Sequence, residues 1–105
     1  MKDHLKDLYN YLADKKCKEV CVYDLSMEEQ NCDYIYVATI SNTSNNKKLA
    51  LNIMQDFEME NYPEGFHKGE WIIFDFGQCV LHLFSPAARE KFNLDKLWQS
   101  KKMTI

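Results

Sequence analysis

The stretch from Gly69 to Pro86, GEWIIFDFGQCVLHLFSP, constrains the fold of this chain more than any other. It is the most apolar and aromatic segment, and its pattern predicts two strands, 70–76 and 79–84, around a tight turn that begins at Gly77. Glycine at the first central position suits a type II′ turn, whose twist matches that of paired strands. Pro86 ends the second strand because it has no N–H to donate to a ladder. The sequence therefore predicts a β-hairpin at the centre of the fold.

Two polar residues, Asp75 and His82, occupy hairpin positions where a buried hairpin carries aliphatic side chains. Strand alternation puts Trp71 and Ile73 on the same face as Asp75, and we expect that face to be the wetter one. A tryptophan beside an acidic group on a solvent-facing surface is typical of protein–protein hot spots. A helix that covers Trp71 accounts for it equally well from composition alone.

The remaining segments alternate between helical and extended patterns. Apolar residues at helical spacing predict the first helix, capping residues predict the start of the second, and Pro63 limits its end. The predicted elements are a helix over 3–15 with the stripe Leu5, Leu8, Tyr9 and Leu12, strands over 19–25 and 33–40 around a loop at 26–32, a helix from Thr43 or Ser44 to near Asn61, a short helix over 87–92, a segment 94–98 that returns to the core, and a polar tail over 99–105 that frays.

This order of helices and strands predicts a single mixed α/β (α+β) domain over residues 1–98, with helices packed on a mixed sheet. A chain of 105 residues has room for one core. The net charge of −3 and the lack of a visibly basic face argue against direct nucleic-acid recognition. No apolar run approaches the length of a membrane span, and the N-terminus does not resemble a signal peptide. We therefore expect a cytoplasmic protein whose four cysteines are reduced.

Residue types that support catalysis are present, but their spacing is unfavourable. Cys79 and His82 are three residues apart on one strand, so they point to opposite faces and are not expected to form a dyad. The cysteines and histidines lack zinc-type spacing, and no metal or cofactor is expected. Asp24, Asp33 and Asp75 lie near strand ends, but the chain has no Asp-x-Asp pair for Mg²⁺ and no glycine-rich phosphate loop.

Arg89 is the only arginine of the chain and lies just after the hairpin. A lone arginine is often a surface charge. It is also the side chain suited to bidentate pairing with a carboxylate, and Asp75 and Glu90 are candidates for that partner.

Four segments together resemble the ribosomal silencing factor family, also called RsfS or Iojap-like. The resemblance covers about residues 3–98, and the ordered set from Gly69 to Trp98 is its most specific part. The matching segments are Asp33-Tyr34-Ile35-Tyr36-Val37-Ala38-Thr39, Thr43-Ser44 with the helix that follows, Gly69-Glu70-Trp71 through Asp75-Phe76-Gly77, and the closing run with Val80 to Phe84, Ala88-Arg89-Glu90, Phe92-Asn93-Leu94 and Leu97-Trp98. Two places differ from the family pattern, Ile40-Ser41-Asn42 where the family usually has a glycine, and Ser85.

The resemblance implies a five-stranded mixed sheet, similar to the nucleotidyltransferase fold but without its catalytic carboxylates. It also implies a protein that is not an enzyme. Family members bind the fourteenth protein of the large ribosomal subunit and obstruct subunit joining, which represses translation when nutrients are scarce. The implied contact surface surrounds the hairpin, and its candidate residues are Trp71, Ile73, Asp75, Phe76, Gly77, His82, Arg89 and Trp98.

Two other hypotheses stay open at this point. A nucleotidyl- or phosphoryl-transfer enzyme of the same fold needs two metal-binding carboxylates that the fold itself brings together. A homodimer of the free protein, in which the hairpin face pairs with itself, explains the same exposed aromatic residues.

Overall fold

The computed structural model describes residues 2–27 and 32–104, and side chains from residue 6 onward. Most of the predicted loop 26–32, and the Leu5 side chain of the first predicted stripe, lie outside this description. The elements are α1 Lys2–Asp14, β1 Lys18–Asp24, β2 Tyr34–Thr39, α2 Thr43–Asp56, β3 Trp71–Asp75, β4 Cys79–Phe84, α3 Pro86–Phe92, α4 Leu94–Leu97 and a 3₁₀ helix Gln99–Lys101.

Helix α2 begins where the sequence predicts and ends earlier. Asn42 caps it, since its side-chain oxygen accepts the N–H of Asn45 at 2.9 Å. Its end at Asp56 precedes the predicted end near Asn61, because Glu58 takes a left-handed conformation with φ 52°. The N–H of Met59 then donates to the Met54 carbonyl, the 6→1 bond of a Schellman motif. Pro63 set only an upper bound on the helix.

In the described ranges the sheet has four strands, in the order β1-β2-β4-β3. Strand β2 pairs antiparallel with β1 and parallel with β4, while β3 and β4 form the antiparallel hairpin. The mixed α+β class is confirmed, but the part of the chain that the structure describes has no fifth strand. The segment before β3 pairs with it only at the isolated bridge between Glu64 and Ile73, because Pro63 and the turn at Gly65 keep that segment from extending into a strand.

The two faces of the sheet are covered differently. Helices α1 and α2 pack on one face and bury a core around Leu12, Ile53, Phe74 and Leu81, each fully buried. Ala88 of α3, together with Leu94 and Trp98, packs on the other face, over a cluster that includes Tyr23. They reach only part of that face, so the outer portion of the hairpin stays partly exposed.

Short segments of irregular chain lie along both outer edges of the sheet. Beside β1, Lys102 forms an isolated bridge with Tyr23, and the N–H of Met103 donates to the Val22 carbonyl at 2.8 Å. Beside β3, the N–H of Ile73 donates to the Glu64 carbonyl at 3.0 Å. The described part of the polar tail is therefore ordered against β1, unlike the frayed segment expected from sequence.

Candidate functional site

The hairpin is built as the sequence predicts, with a two-residue turn at its tip. Gly77 has φ +86°, which a side chain would strain, and the N–H of Phe76 donates to the Cys79 carbonyl at 2.9 Å. Asp75 is exposed and accepts the N–H of Gly77 at 2.8 Å, which stabilises the turn. The register places Ile73 opposite His82. Asp75, Ile73 and His82 therefore share one face.

Trp71 is half-buried on this face and held on several sides. Its indole Nε1–H donates to Nδ1 of His82 at 2.9 Å. Its ring stacks on Phe84, with 5.2 Å between centroids, and meets Phe92 at 4.6 Å. Burial lowers the pKa of His82 to about 4, so the imidazole is neutral at pH 7. Because its Nδ1 accepts from Trp71, its single N–H is on Nε2. The orientation of Trp71 is thus fixed by contacts within the fold.

The C-terminal helices extend this surface. Ser85 caps α3, since its Oγ accepts the N–H of Ala88 at 3.3 Å. Phe92, at the end of α3, is 43% exposed beside Trp71, and Trp98 lies 6.2 Å from His82 between ring centroids. We call the following set the Trp71 face: Trp71, Ile73, Asp75, His82, Phe92 and Trp98.

The structure brings five of the eight candidate residues together on the Trp71 face: Trp71, Ile73, Asp75, His82 and Trp98. Phe76 lies on the opposite side of the sheet, where its ring packs with Phe57 at 5.4 Å. Gly77 lies at the exposed hairpin tip, with nothing within 4 Å of the position a Cβ would take. Arg89 is only 8% exposed, behind the surface rather than on it.

The structure shows that neither candidate partner of Arg89 binds it. Neither Asp75 nor Glu90 pairs with it, because its guanidinium turns inward and binds Asp95 through two bonds, Nε to Oδ2 at 3.0 Å and Nη2 to Oδ1 at 2.9 Å. Asp95 also accepts the hydroxyl of the buried Tyr23 at 2.5 Å. Sequence reasoning missed this cluster. An acidic residue six positions after a lone arginine, across an Asn93 that favours a left-handed turn, was the available signal.

The arrangement does not favour catalysis by the groups on the hairpin. Cys79 packs toward α1 and α2, whereas His82 faces Trp71, so strand alternation separates them as predicted. Burial raises the pKa of the Cys79 thiol to about 11, which keeps it protonated at pH 7. Among the described residues, no group of three or more His, Cys, Asp or Glu side chains is placed to hold a metal ion. In the same part of the chain, no helix has the length and apolar character needed to cross a membrane.

An open groove of about 1100 Å³ lies on the β1 side of α3 and α4. Charges of both signs line it, including Lys18, Glu19, Glu90 and Lys96. Tyr23, Arg89 and Asp95 also contribute to its walls. It is therefore a polar cleft beside the Arg89 cluster, separate from the Trp71 face.

Comparison with known proteins places the whole chain in one family. The profile of the family described as "Ribosomal silencing factor during starvation" matches residues 1–105. Ribosomal silencing factor RsfS of Treponema pallidum is 32% identical over 92 residues, which cover 84% of this chain and 83% of that protein. The mouse protein named "Mitochondrial assembly of ribosomal large subunit protein 1" is 26% identical over 98 residues, 87% of this chain and 43% of its own length.

Two solved structures share the fold of this chain. A crystal structure of a protein from Chromobacterium violaceum superposes with a TM-score of 0.81 at 26% identity and covers all of this chain and 91% of that one. A structure from Bacillus halodurans, at 22% identity and a TM-score of 0.79, shows the same fold over both full chains. With a profile match over its entire length and a relative above 30% identity, this chain belongs to the ribosomal silencing factor family.

Proposed function

We propose that this protein is a non-enzymatic repressor of translation that binds the large ribosomal subunit through its fourteenth protein. Docked there, a domain of 12.5 kDa occupies space that the small subunit needs, so the block is steric. Membership of the silencing-factor family supports a role at the ribosome, and the name of the mouse relative refers to the large subunit. We place the protein in the cytoplasm, and the family description "during starvation" supports a role under nutrient limitation.

The observation that carries this proposal is the construction of the Trp71 face. A tryptophan in a fixed orientation, flanked by the 43% exposed ring of Phe92, offers a large apolar contact that needs little ordering on binding. Such rigid aromatic anchors dominate interface energetics. The polar groups beside it are already engaged within the fold, since His82 accepts from Trp71 and Asp75 accepts from Gly77. That pattern suits docking better than proton transfer or metal chemistry.

Charge supports a basic partner. The chain carries a net charge of −3, and the exposed carboxylate of Asp75 lies at the rim of the Trp71 face. Rim charges chiefly speed and orient association, so they help an acidic protein find a basic ribosomal protein. We expect Asp75→Lys to slow association more than it speeds dissociation.

Cosedimentation with purified large subunits tests the proposal. Trp71→Ala should weaken binding by about 30-fold or more, the equivalent of about 2 kcal/mol for a central interface tryptophan. Phe92→Asp gives a second test at a more exposed position, which is easier for the fold to tolerate. Tyr62→Ala is the matched control, because Tyr62 is a 67% exposed aromatic that packs with Phe66, away from the Trp71 face.

The steric mechanism has its own readout. Light scattering after small and large subunits are mixed should show that the wild-type protein reduces joining and that Phe92→Asp does not. Full-strength binding by folded Trp71→Ala and Phe92→Asp proteins would remove the Trp71 face from the proposal. Wild-type binding without any effect on joining would refute the steric block.

A further inference from the structure

Helix α4 is too short and too exposed for its own packing to fix its position. It has four residues, Leu94–Leu97, none of them buried, and a single helical turn is not stable in isolation. Leu97 is 71% exposed and contributes little packing, while Leu94 and Trp98 are only partly buried against the second core cluster. Something else must fix this segment, which ends in one of the residues of the Trp71 face.

The Arg89 side chain ties four segments of the chain together. Besides its two bonds to Asp95, its Nη1 donates to the Glu19 carbonyl at 2.5 Å and to Oγ1 of Thr39 at 3.0 Å. Its Nη2 also approaches the sulfur of Cys21 at 3.4 Å. One guanidinium thus links α3 to β1, β2 and α4. A lysine lacks the planar fork needed for these simultaneous bonds.

Asp95 is the residue of α4 that bonds to this network. It accepts from both Arg89 and Tyr23, and these bonds outweigh burial to lower its pKa below the ordinary range. For Arg89, burial acts to lower the pKa, but Asp95 raises it on balance. Both groups therefore stay charged across the physiological range. Removal of the Asp95 charge leaves the buried Arg89 guanidinium without its compensating carboxylate.

The network connects through α4 to the binding surface. Trp98, three residues after Asp95, lies 6.0 Å from Tyr23 and 6.2 Å from His82 between ring centroids. His82 in turn accepts the indole N–H of Trp71. We propose that Arg89, Asp95 and Tyr23 are positioning residues of the Trp71 face, which hold Trp98 beside His82 so that the face is complete before it meets its partner. This inference rests on the proposed function.

Fluorescence of Trp98 tests whether the network holds Trp98 in place. The chain has two tryptophans, so Trp71→Phe leaves Trp98 as the only one. In that background, Asp95→Asn should about double the acrylamide quenching constant of Trp98, because α4 loses its fixed position. Glu90→Gln, which removes one negative charge from an exposed site on α3, is the matched control and should leave quenching unchanged.

Cosedimentation with large subunits tests whether the network supports binding. It uses proteins that keep Trp71, at a temperature well below their melting temperature. Asp95→Asn should weaken binding about tenfold, and Glu90→Gln should not. Tyr23→Phe, which removes only one hydroxyl, should change quenching and binding in the same directions by smaller factors. It carries both tests if Asp95→Asn fails to fold.

The outcomes separate the two proposals. Increased quenching together with weaker binding supports the positioning role. Unchanged quenching, or increased quenching with full binding, overturns it and leaves the proposed function intact. A wild-type protein that fails to cosediment overturns the proposed function, whatever the quenching result.

Discussion

The stability of this protein should fall measurably between pH 7 and pH 5 because of one buried imidazole. His82 is 9% exposed, and burial lowers its pKa from 6.5 to about 4. In the unfolded chain the same side chain takes up a proton near pH 6.5. Between these two values the unfolded state binds more protons than the folded state, so stability decreases as the pH falls.

The size of the effect follows from the two pKa values. Between pH 7 and pH 5, protonation of His82 in the unfolded chain alone should lower the free energy of unfolding by about 2 kcal/mol. The full effect, reached below about pH 4, is about 3 kcal/mol, after which this residue adds no further pH dependence. At pH 7 the contribution is almost fully present.

Urea unfolding at pH 7 and pH 5 measures this difference. Wild-type protein should lose about 2 kcal/mol more than His82→Gln over that interval, since glutamine does not titrate. Carboxylates with lowered pKa values, such as Asp24 and Asp95, act in the same direction in both proteins and cancel in the comparison. His67→Gln, at an exposed site, should behave as wild type.

Equal losses in wild type and His82→Gln would refute the reasoning. An NMR titration gives an independent check, because the His82 ring signals should not titrate down to pH 5. A midpoint near 6.5 for those signals would show that the folded protein takes up a proton at His82 as readily as the unfolded chain does. Burial would then not keep the imidazole neutral to accept the N–H of Trp71.

Two further predictions concern the segments that place Trp71. Gly65→Ala should lower the free energy of unfolding by more than about 3 kcal/mol, since its Cβ would lie 2.0 Å from the Trp71 carbonyl oxygen at φ +78°. Gly77→Ala, with open space around it, should lower the free energy of unfolding by only about 1–2 kcal/mol. The reverse order in urea unfolding would contradict this steric argument. Asn46→Ala removes the buried amide that donates to the Gly69 carbonyl at 2.7 Å, and it should lower the stability measured by thermal unfolding by about 1–3 kcal/mol. The control Asn52→Ala, on the exposed side of α2, should be neutral or slightly stabilising. Equal effects of the two substitutions would count against the role of the Asn46 hydrogen bond.

Local patterns predicted most of the fold correctly. Alternation in the hairpin separated the face of Asp75 from that of Phe74, and the glycine at 77 located the turn. The two departures from the family pattern also have local explanations, since Asn42 caps α2 and Ser85 caps α3. Polar residues at these positions satisfy N–H groups that open each helix.

The errors came from a backbone state without a sequence signature and from a side-chain pairing that tertiary packing decides. Glu58 ends α2 in a left-handed conformation that usually marks glycine, so the end of the helix was placed too late. The partner of Arg89 is Asp95, only six positions away, and the pairing forms because the left-handed Asn93 turns α4 back toward α3. Phe76 was a candidate through the family resemblance, whereas strand alternation turns it to the opposite side of the sheet, where it packs with Phe57.

The irregular segments beside β1 and β3 have a consequence for self-association. A strand from a second molecule gains most when it meets a free row of N–H and C=O groups, and here Val22 and Ile73 at the two edges already bond to Met103 and Glu64. Continuous intermolecular sheets are therefore disfavoured at both ends of the sheet.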